Sequence, residues 1–365
     1  MYAFHDPYIE WAQEQKAEWF DCDLGSSGLS LDWDWADWDI DLRAMPADGE
    51  NWFGYGPLRE RLAASLSVAR DQVLLAPGCT GANALVMAAL LRSGDRVAVE
   101  TPVYSPLVNL VRGFGGEVVP VVRSPDLRRG FSAETLHKAL EGCALCLITN
   151  PHNPTGRVLD RSEIREVAGI CERAGATLVV DEVYREFPGR EEHPSAATCC
   201  ENAVITSSMT KAYGLGGLRV GWIAGPAPVV ETCVAANRVL LGRGSMAGEW
   251  LVEQILSDEV RWRAVREDIG RRVQAGSALV ERFMQSRPEL GWTRPDRGIC
   301  SLIELPPGIS GTTLVDHCRE EARVYMVPGE FFGATGTVRL SFGAGPEMVE
   351  EGLKRLGRVL DGLFG

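Results

Sequence analysis

Between residues 58 and 226, short apolar segments alternate with segments that have the periodicity of amphipathic helices. The apolar segments predict strands at 72–76, 96–100, 116–122, 144–150, 176–184, 203–208 and 218–225. Runs of this kind are typical of strands that are buried on both faces. Because helices separate most of them, the strands are expected to lie parallel, with the helices covering the sheet. The alternation therefore predicts an α/β domain built on a mostly parallel sheet.

A chain of 365 residues, of which 45% are hydrophobic and 24% charged, has the composition of a folded globular protein. The 50 acidic and 37 basic residues give a net charge of −13, which argues against nucleic-acid binding because phosphates require a basic surface. No apolar run approaches the roughly 18–20 residues of a membrane span. The first residues also lack the basic segment and apolar run of a signal peptide, so a cytoplasmic location without membrane attachment is expected.

The pattern of elements changes after residue 226. Helical periodicity dominates from 226 to 286, including one long stretch at 249–284, and short strands then alternate with helices to the end of the chain. The first 50 residues are irregular and rich in Trp and Asp. We therefore predict an N-terminal arm that packs on the small domain or a partner subunit, a large domain and a small α+β domain, at 1–44, 45–269 and 270–365.

Ten cysteines are spread along the chain, and only Cys143 and Cys146 stand at C-x-x-C spacing. A zinc site needs a second such pair or histidines at ligand spacing, and neither follows. We therefore predict buried, reduced thiols of the kind found in cytoplasmic enzymes, and no metal site.

Residues 207–222, SSMTKAYGLGGLRVGW, combine a lysine with hydroxyl groups, a glycine-rich turn and an arginine. The hydroxyls of Ser208 and Thr210 and the guanidinium of Arg219 are groups that suit a dianionic phosphate. Beside them, Lys211 could form a Schiff base with a carbonyl compound. The alternative is a glycine-rich connection with a surface lysine. A nicotinamide site is disfavoured, because the Gly-x-Gly-x-x-Gly spacing between a strand and a helix is missing.

Three more motifs directly follow predicted strands, where ligands bind in open α/β sheets. In DEVY, Asp181 could hold a proton on a ring nitrogen and Tyr184 could reach the same ligand. In NPHNPTG, the tight turn makes Asn153 a rigidly placed hydrogen-bond donor. In APGCTG, the backbone N–H groups of Cys79 and Thr80 at a helix start could bind phosphate. Taken singly, each motif is equally typical of a solvated strand end or an ordinary turn.

Arg339 lies on a predicted apolar strand of the small domain, in RLSFG. An arginine in that position needs a partner if it is buried, and the planar guanidinium suits a carboxylate ligand.

Together and in this order, the motifs resemble those of the fold-type I pyridoxal-phosphate (PLP) enzymes, in particular the class I/II aminotransferase family. The resemblance runs from about Gly28 to the C-terminus and is most specific at NPHNPTG, DEVY and SMTKAYGLGGLRVGW. It implies pyridoxal 5'-phosphate as cofactor, a large domain with a mostly parallel sheet flanked by helices, and a smaller α+β domain. It also implies a homodimer with shared active sites.

The resemblance implies roles for individual residues at the cofactor ring. Lys211 would be the Schiff-base lysine and the proton carrier, and Asp181 would pair with the pyridine nitrogen. Tyr184 and Asn153 would contact the ring 3-oxygen. Tyr104, in TPVYSPL, matches the aromatic residue that stacks on the ring.

The resemblance also implies which residues bind the phosphate and the substrate. The phosphate would be bound by Ser208, Arg219, Cys79, Thr80 and, from the neighbouring subunit, Tyr55. Arg339 would hold the substrate α-carboxylate, close to Asn153, and Gly28 lies in the segment that closes over the substrate. The chain departs from the family pattern at Cys79, where a small residue is usual, and in the stretch WDWDWADW, which has no counterpart.

The implied activity is an aminotransferase that moves an amino group between an L-amino acid and a 2-oxo acid. A β-eliminating lyase or cyclase of specialised amino-acid metabolism is the alternative, because the cofactor motifs are shared by both. A ligand-sensing regulator of this fold usually carries a DNA-binding segment, and only an acidic, Trp-rich arm is expected here. In the stretch 240–246, Arg243 could receive an acidic substrate side chain or contact the partner subunit.

Overall fold

Thirteen β-strands and eleven α-helices are found in the residues that the computed structural model describes, which are 4–17, 20–47, 52–123, 130–189 and 193–364. The strands are β1 (Cys22–Asp23), β2 (Val73–Pro77), β3 (Arg96–Thr101), β4 (Glu117–Val122), β5 (Cys143–Thr149), β6 (Thr177–Asp181), β7 (Val204–Ser208), β8 (Val220–Ala224), β9 (Gly291–Trp292), β10 (Cys300–Glu304), β11 (Val324–Tyr325), β12 (Val327–Pro328) and β13 (Thr337–Ser341). The helices are α1 (Pro7–Ala17), α2 (Gly56–Leu66), α3 (Gly78–Leu90), α4 (Ser105–Gly113), α5 (Ala133–Ala139), α6 (Arg161–Ala174), α7 (Ala227–Leu240), α8 (Met246–Ser257), α9 (Glu259–Gln285), α10 (Gly311–His317) and α11 (Pro346–Phe364).

The central sheet has the strand order β2-β8-β7-β6-β5-β3-β4. Strand β8 runs antiparallel to both of its neighbours, and the other pairs are parallel. The reversal follows from the short connection between β7 and β8. Residues 209–219 are too few for the crossover helix that a parallel strand requires. The predicted mostly parallel α/β sheet is confirmed.

Side chains of the central strands alternate between the two faces of the sheet. In β5, Leu145 and Leu147 belong to one buried cluster, and Cys146 and Ile148 belong to another. Helices α3, α4 and α7 contribute apolar side chains to the first cluster, and α5 and α6 contribute to the second. Each fully buried Leu or Ile side chain contributes about 1.5–3 kcal/mol. The sheet is therefore the core of the large domain.

Helix α6 shows how local signals define the helices around this sheet. Its N-cap, Asp160, accepts hydrogen bonds from the N–H groups of Ser162 and Glu163, and the Glu163 side chain accepts from the Asp160 N–H in return. The helix ends at Ala174 and is followed by the C-cap Gly175, whose φ of 72° is left-handed. Its buried side chains recur at three- or four-residue spacing at Ile164, Val167, Ile170 and Cys171.

The C-terminal part contains a second, antiparallel sheet with the order β12-β13-β10-β9. The apolar segment 323–327, which we interpret from the sequence as one of the short strands of this region, divides into β11 and β12, and these two join different sheets. Helix α9 connects the two parts of the chain and continues through residues 269 and 270, where we predict the domain boundary. The predicted division of the chain into domains stays a prediction.

The predicted continuous helical stretch at 249–284 is wrong at one point. Helix α8 ends at Ser257 and α9 begins at Glu259. The side chain of Asp258 accepts a hydrogen bond from the N–H of Arg261 at 3.0 Å, which caps the new helix. An aspartate favours a cap over a helix interior because its side chain competes for backbone N–H groups.

The expectation of an irregular N-terminal arm is wrong for residues 7–17, which form α1. Pro7 suits the first helical position, and the Asp6 carboxylate accepts from the N–H of Ile9 at 3.0 Å. Aromatic residues of α1 pack on the small domain: Tyr8 lies 5.4 Å from Phe331, and Trp11 lies 6.0 Å from Tyr325, between ring centroids. Strand β1 then pairs in parallel with β11.

The Trp-rich part of the arm, around residues 31–38, packs on the large domain. The indole Nε1–H of Trp33 donates to the carbonyl of Tyr213 at 3.0 Å, and its ring stacks on Trp35 at 5.5 Å. Trp38 is buried, whereas Trp35 is 43% exposed. No helix within the described ranges is both long and apolar enough to cross a membrane.

Candidate active site

A cavity of about 110 Å³ lies beyond the carboxyl ends of β5, β6 and β7, where Thr149, Asp181 and Ser208 end their strands. This is where the parallel part of an open α/β sheet binds its ligands. The sequence-predicted residues that line it are Cys79, Thr80, Tyr104, Asn153, Asp181, Tyr184, Ser208, Thr210, Lys211 and Arg219. Segments far apart in sequence therefore converge on one site.

Asp181 supplies a buried carboxylate at the floor of the cavity. One of its oxygens accepts from the Asn83 side chain at 2.7 Å, and the other accepts from the N–H of Val183 at 3.0 Å. Burial raises the pKa of Asp181, and the hydrogen bond from Asn83 acts in the opposite direction. A buried carboxylate of this kind is suited to a cationic partner.

Asn83, which sequence reasoning missed, is fixed by its own partners. Its side-chain oxygen accepts from the Thr206 hydroxyl at 2.6 Å, which directs its amide N–H₂ toward Asp181. The Cys79 sulfur lies 3.6 Å from the Thr206 oxygen. Burial raises the pKa of the Cys79 thiol well above its usual range, so the sulfur stays neutral. One signal was available, since Asn83 follows Cys79 by four residues and thus shares its helix face.

Lys211 follows β7 and meets the N-terminal arm. Its Nζ lies 2.9 Å from the hydroxyl oxygen of Ser27, and its carbonyl accepts from the N–H of Leu29 at 2.9 Å. A Cβ added to Gly28 would lie 3.4 Å from Lys211 Cδ, so the arm passes directly over the lysine. Ser27, also missed by sequence reasoning, lines the cavity, whereas Gly28, which the sequence predicted, is not among the lining residues.

The other end of the cavity carries groups that suit an oxyanion. Ser208, Thr80 and Arg219 line it, next to the first turn of α3. Arg219 donates to the carbonyl of Pro77 at 2.8 Å. Gly78 has a φ of +75°, and a Cβ at that position would lie 2.6 Å from an Arg219 nitrogen. A glycine is therefore needed for the guanidinium to approach the helix start, where N–H groups favour anions.

Arg339 lies on β13, is only 1% exposed and is not among the residues that line the cavity. It donates to the carbonyl of Gly25 at 2.8 Å and to the hydroxyl of Tyr8 at 3.2 Å, and it approaches the side-chain oxygen of Asn153 at 3.4 Å. Its Nε is buried without a hydrogen-bond partner in the described residues. The guanidinium thus retains donor capacity for a ligand. Tyr8, from α1, was missed by sequence reasoning because it belongs to no recognisable motif.

Two tyrosines close the sides of the cavity. Tyr104 precedes α4 and lies edge-on to Tyr8, with 5.8 Å between ring centroids. Tyr184 stacks on Phe187 at 5.8 Å. Burial raises the pKa of both phenols, so both are neutral hydrogen-bonding groups at physiological pH.

A family model described as "Aminotransferase class I and II" matches residues 47–356. The chain belongs to this family. The arginine–pyruvate transaminase of Pseudomonas aeruginosa is 28% identical to it over 315 residues, which cover 84% of this chain and 79% of that enzyme. The 2-aminoadipate transaminase of Thermus thermophilus is 29% identical, with 85% of this chain and 81% of that enzyme covered.

The fold of this aminotransferase agrees with that assignment. A crystal structure of a PLP-dependent aminotransferase from Streptococcus suis superposes with a TM-score of 0.89 at 23% identity, covering 97% of this chain and 96% of that chain. The predictions of the family, the fold type I architecture, the enzyme class and pyridoxal 5'-phosphate as cofactor are confirmed.

The residues of this aminotransferase fit pyridoxal phosphate. The buried carboxylate of Asp181 suits a protonated ring nitrogen, and Lys211 lines the same small cavity. The close approach of Arg219 to Gly78 forms a cradle that an added Cβ would fill. The hydroxyls and guanidinium at that end are oxygen and nitrogen donors of the type that binds phosphate. No group of three metal-ligating side chains lies close enough to hold a metal ion in the part of the chain that is described.

Tyr55 does not line the cavity of its own chain. Its N–H donates to the Glu249 carboxylate at 2.8 Å, at the start of α2. Arg243 also lies elsewhere, with its guanidinium 5.2 Å from the ring of Trp52. The roles implied for individual residues of this aminotransferase stay predictions.

Proposed function

We propose that this chain transfers an amino group between an L-amino acid and a 2-oxo acid, with Lys211 as the attachment point of the cofactor and the proton carrier. One observation carries the assignment to these residues. Lys211, the buried Asp181 carboxylate and the oxyanion-binding groups Ser208 and Arg219 line a single cavity beyond the ends of β6 and β7.

The chemistry requires a charge at one end of the cavity and a base near the substrate. When bound, pyridoxal phosphate supplies an electron sink for the negative charge that develops at the α-carbon of the amino acid. Asp181, oriented by Asn83, keeps the ring nitrogen protonated through charge pairing, which is strong in a buried site. Lys211 Nζ is the nearest predicted base and removes the α-proton.

Substrate orientation is assigned to Arg339. Two of its present acceptors, the Tyr8 hydroxyl and the Gly25 carbonyl, are neutral oxygens. A substrate α-carboxylate forms stronger, charge-assisted hydrogen bonds with the same fork, so we expect it to replace at least one of them. Holding the carboxylate there keeps the Cα–H bond directed for proton removal rather than the bond to the carboxylate.

Transamination is preferred over β-elimination or cyclisation because the similar enzymes are named transaminases, one for arginine and pyruvate and one for 2-aminoadipate. The test is a single turnover of the holoenzyme with a panel of amino acids and no oxo acid. We expect the spectrum of the pyridoxamine form and release of one equivalent of 2-oxo acid. Release of ammonia together with pyruvate or a cyclised product, and no pyridoxamine form, would overturn the proposal.

We also propose a homodimer with shared active sites, and a patch near the β2 edge of the central sheet supports it. The exposed apolar side chains there are Trp52, Val239, Leu240 and Leu241. A hydrogen bond of 3.2 Å from the Asn237 side chain to the Trp52 carbonyl joins the two segments. Exposed patches of this kind mark interaction sites. Tyr55 lies three residues from Trp52, where it could reach a partner's cavity.

A reducing, cytoplasmic location is proposed as well. The ten cysteines are all free thiols, and eight of them are buried. Proteins of oxidising compartments more often pair such residues in disulfides.

A further inference from the structure

A second cavity, of about 1210 Å³, lies apart from the candidate active site. Its walls come from the start of α6, the residues after β6 and the N-terminal half of α9. Six arginines line this arginine-lined cavity: Arg161, Arg165, Arg185, Arg263, Arg266 and Arg297. Among the described residues, only three carboxylates line it, in a chain whose net charge is −13. The local excess of positive charge therefore opposes the charge of the whole chain.

Two of the three carboxylates already have partners within the protein. Asp160 caps α6 through the N–H groups of its first turn. Glu186 pairs with Arg185, which also lies 3.2 Å from the buried Glu182. The remaining carboxylate, Glu267, forms no ion pair with any residue in the described ranges. Among those same residues, Arg161, Arg263 and Arg266 have no carboxylate partner.

One titratable group of the lining, His193, lies within reach of this positive charge. Burial lowers the pKa of His193 to about 4, and Arg297 and Arg185, which line the same cavity, contribute in the same direction.

Four further residues of the lining are apolar. Phe187, Pro188, Pro194 and Ile269 contribute carbon surface. A cavity with guanidinium forks and an apolar wall suits an organic body that carries anionic groups. We propose that the arginine-lined cavity binds a small organic molecule with two or more oxyanionic groups, phosphate or carboxylate, outside the active site.

The site is connected to the catalytic residues through short contacts. The Tyr213 hydroxyl donates to the Glu186 carboxylate at 2.9 Å, and Tyr213 follows Lys211 by two residues. Glu182, the neighbour of Asp181, faces Arg185. A ligand that competes for Arg185 would therefore alter hydrogen bonds that begin next to both catalytic residues.

The test is isothermal titration of the holoenzyme, whose own phosphate site is filled, in buffer free of divalent cations. Pyrophosphate is one probe and citrate the other, so that the two arms distinguish a phosphate from a carboxylate ligand. The variant Arg263→Gln/Arg266→Gln removes two charges from the cavity. The control Arg271→Gln/Arg282→Gln removes two charges from α9 at residues that do not line it.

We expect saturable binding of at least one probe, weakened tenfold or more by Arg263→Gln/Arg266→Gln and less than twofold by the control. Higher salt should weaken it further, since exposed charges are screened. The proposal is overturned if neither probe binds saturably, or if the two double variants weaken binding equally. Because the readout is heat of binding, the result does not depend on whether the enzyme transaminates.

Discussion

At the scale of single residues, the candidate chemistry depends on one buried carboxylate and the groups that hold it. Asp181 is fixed by Asn83, which is in turn fixed by Thr206, so three side chains from two strands and a helix form one chain of hydrogen bonds. Such a chain keeps the carboxylate in one orientation before a ligand arrives. Preorganised charge of this type is an efficient source of catalysis, because it needs no rearrangement during the reaction.

Reduction of the holoenzyme with borohydride should attach the cofactor irreversibly to Lys211. We expect peptide mapping to recover a single modified peptide that contains this residue, because its Nζ lies in the cavity of Asp181. Lys211→Arg should yield no modified peptide. A label on Lys138 or Lys354 would contradict the assignment.

Asp181→Asn should reduce kcat by about 10²-fold or more, because a neutral side chain cannot keep the ring nitrogen protonated. The amide is nearly isosteric and can still accept from Asn83, so binding of the cofactor should persist. Steady-state kinetics with a cofactor titration separate the two effects. Turnover close to that of the wild type would show that Asp181 is not the charge partner.

Although Asp181→Asn should lower kcat, it should raise the folding stability of the protein when the cofactor is absent. Burial raises the pKa of Asp181 in the folded protein, so its ionised form costs folding free energy, and stability is lost as the pH rises through that pKa. We expect apo Asp181→Asn to show a higher Tm than the apo wild type at pH 8. The difference should shrink as the pH falls. A lower Tm for the variant at pH 8 would contradict the direction of the pKa shift.

Which residues could be predicted depended on where their partners lie in the sequence. Lys211, Asp181 and Asn153 belong to compact motifs that follow strands, so sequence spacing alone brings them to one edge of the sheet. Ser27 and Tyr8 contact Lys211 and Arg339 from the arm, across 184 and 331 positions of sequence. No local pattern contains such a contact, since it depends on how the finished parts pack.

At the scale of elements, the turn from β2 into α3 combines a backbone and a side-chain requirement. Gly78→Ala should weaken the binding of pyridoxal phosphate about tenfold, because the new Cβ would lie 2.6 Å from an Arg219 nitrogen and displace the guanidinium. Gly94→Ala is the matched control. Its φ is also positive, at +87°, but nothing lies near the added Cβ.

Both glycine substitutions should cost about 1 kcal/mol or more of stability, since alanine is strained at positive φ. Only Gly78→Ala should change the cofactor affinity measured by absorbance titration. Equal weakening in both variants would mean that the effect comes from lost stability rather than from Arg219.

Helices were predictable where capping residues mark both ends in the sequence, as Asp160 and Gly175 do for α6. The break between α8 and α9 escaped because helical periodicity continues on both sides of Asp258, and a cap is then the only local signal. The direction of β8 was also beyond reach of its apolar pattern, which is the same in either direction. It follows instead from the length of the preceding connection.

At the scale of the whole molecule, the apolar patch near β2 should be a subunit interface. Val239 is 85% exposed there, and Val239→Asp should convert the proposed dimer to monomers and abolish activity. Val122, 56% exposed on β4 at the opposite edge of the sheet, offers the control Val122→Asp. Sedimentation velocity measures both.

The proposed sharing of active sites predicts a second property of the proposed dimer. Mixed chains of Lys211→Ala and Tyr55→Ala, each inactive alone, should regain activity when they associate, because one of the two cavities then has both residues intact. An active monomeric wild type, or no recovery in the mixture, would remove the case for a role of Tyr55 across the interface.

The residues around the candidate site come from two separate parts of the chain, the central sheet and the N-terminal arm. Groups predicted to serve the cofactor come from the central sheet and its loops, whereas Tyr8, Gly25 and Ser27, which contact Arg339 and Lys211, come from the arm. Substitutions of these three residues leave the strands of the central sheet unchanged. We therefore expect that specificity for a new amino donor can evolve through substitutions in the arm, while the predicted cofactor-binding residues of the sheet stay the same.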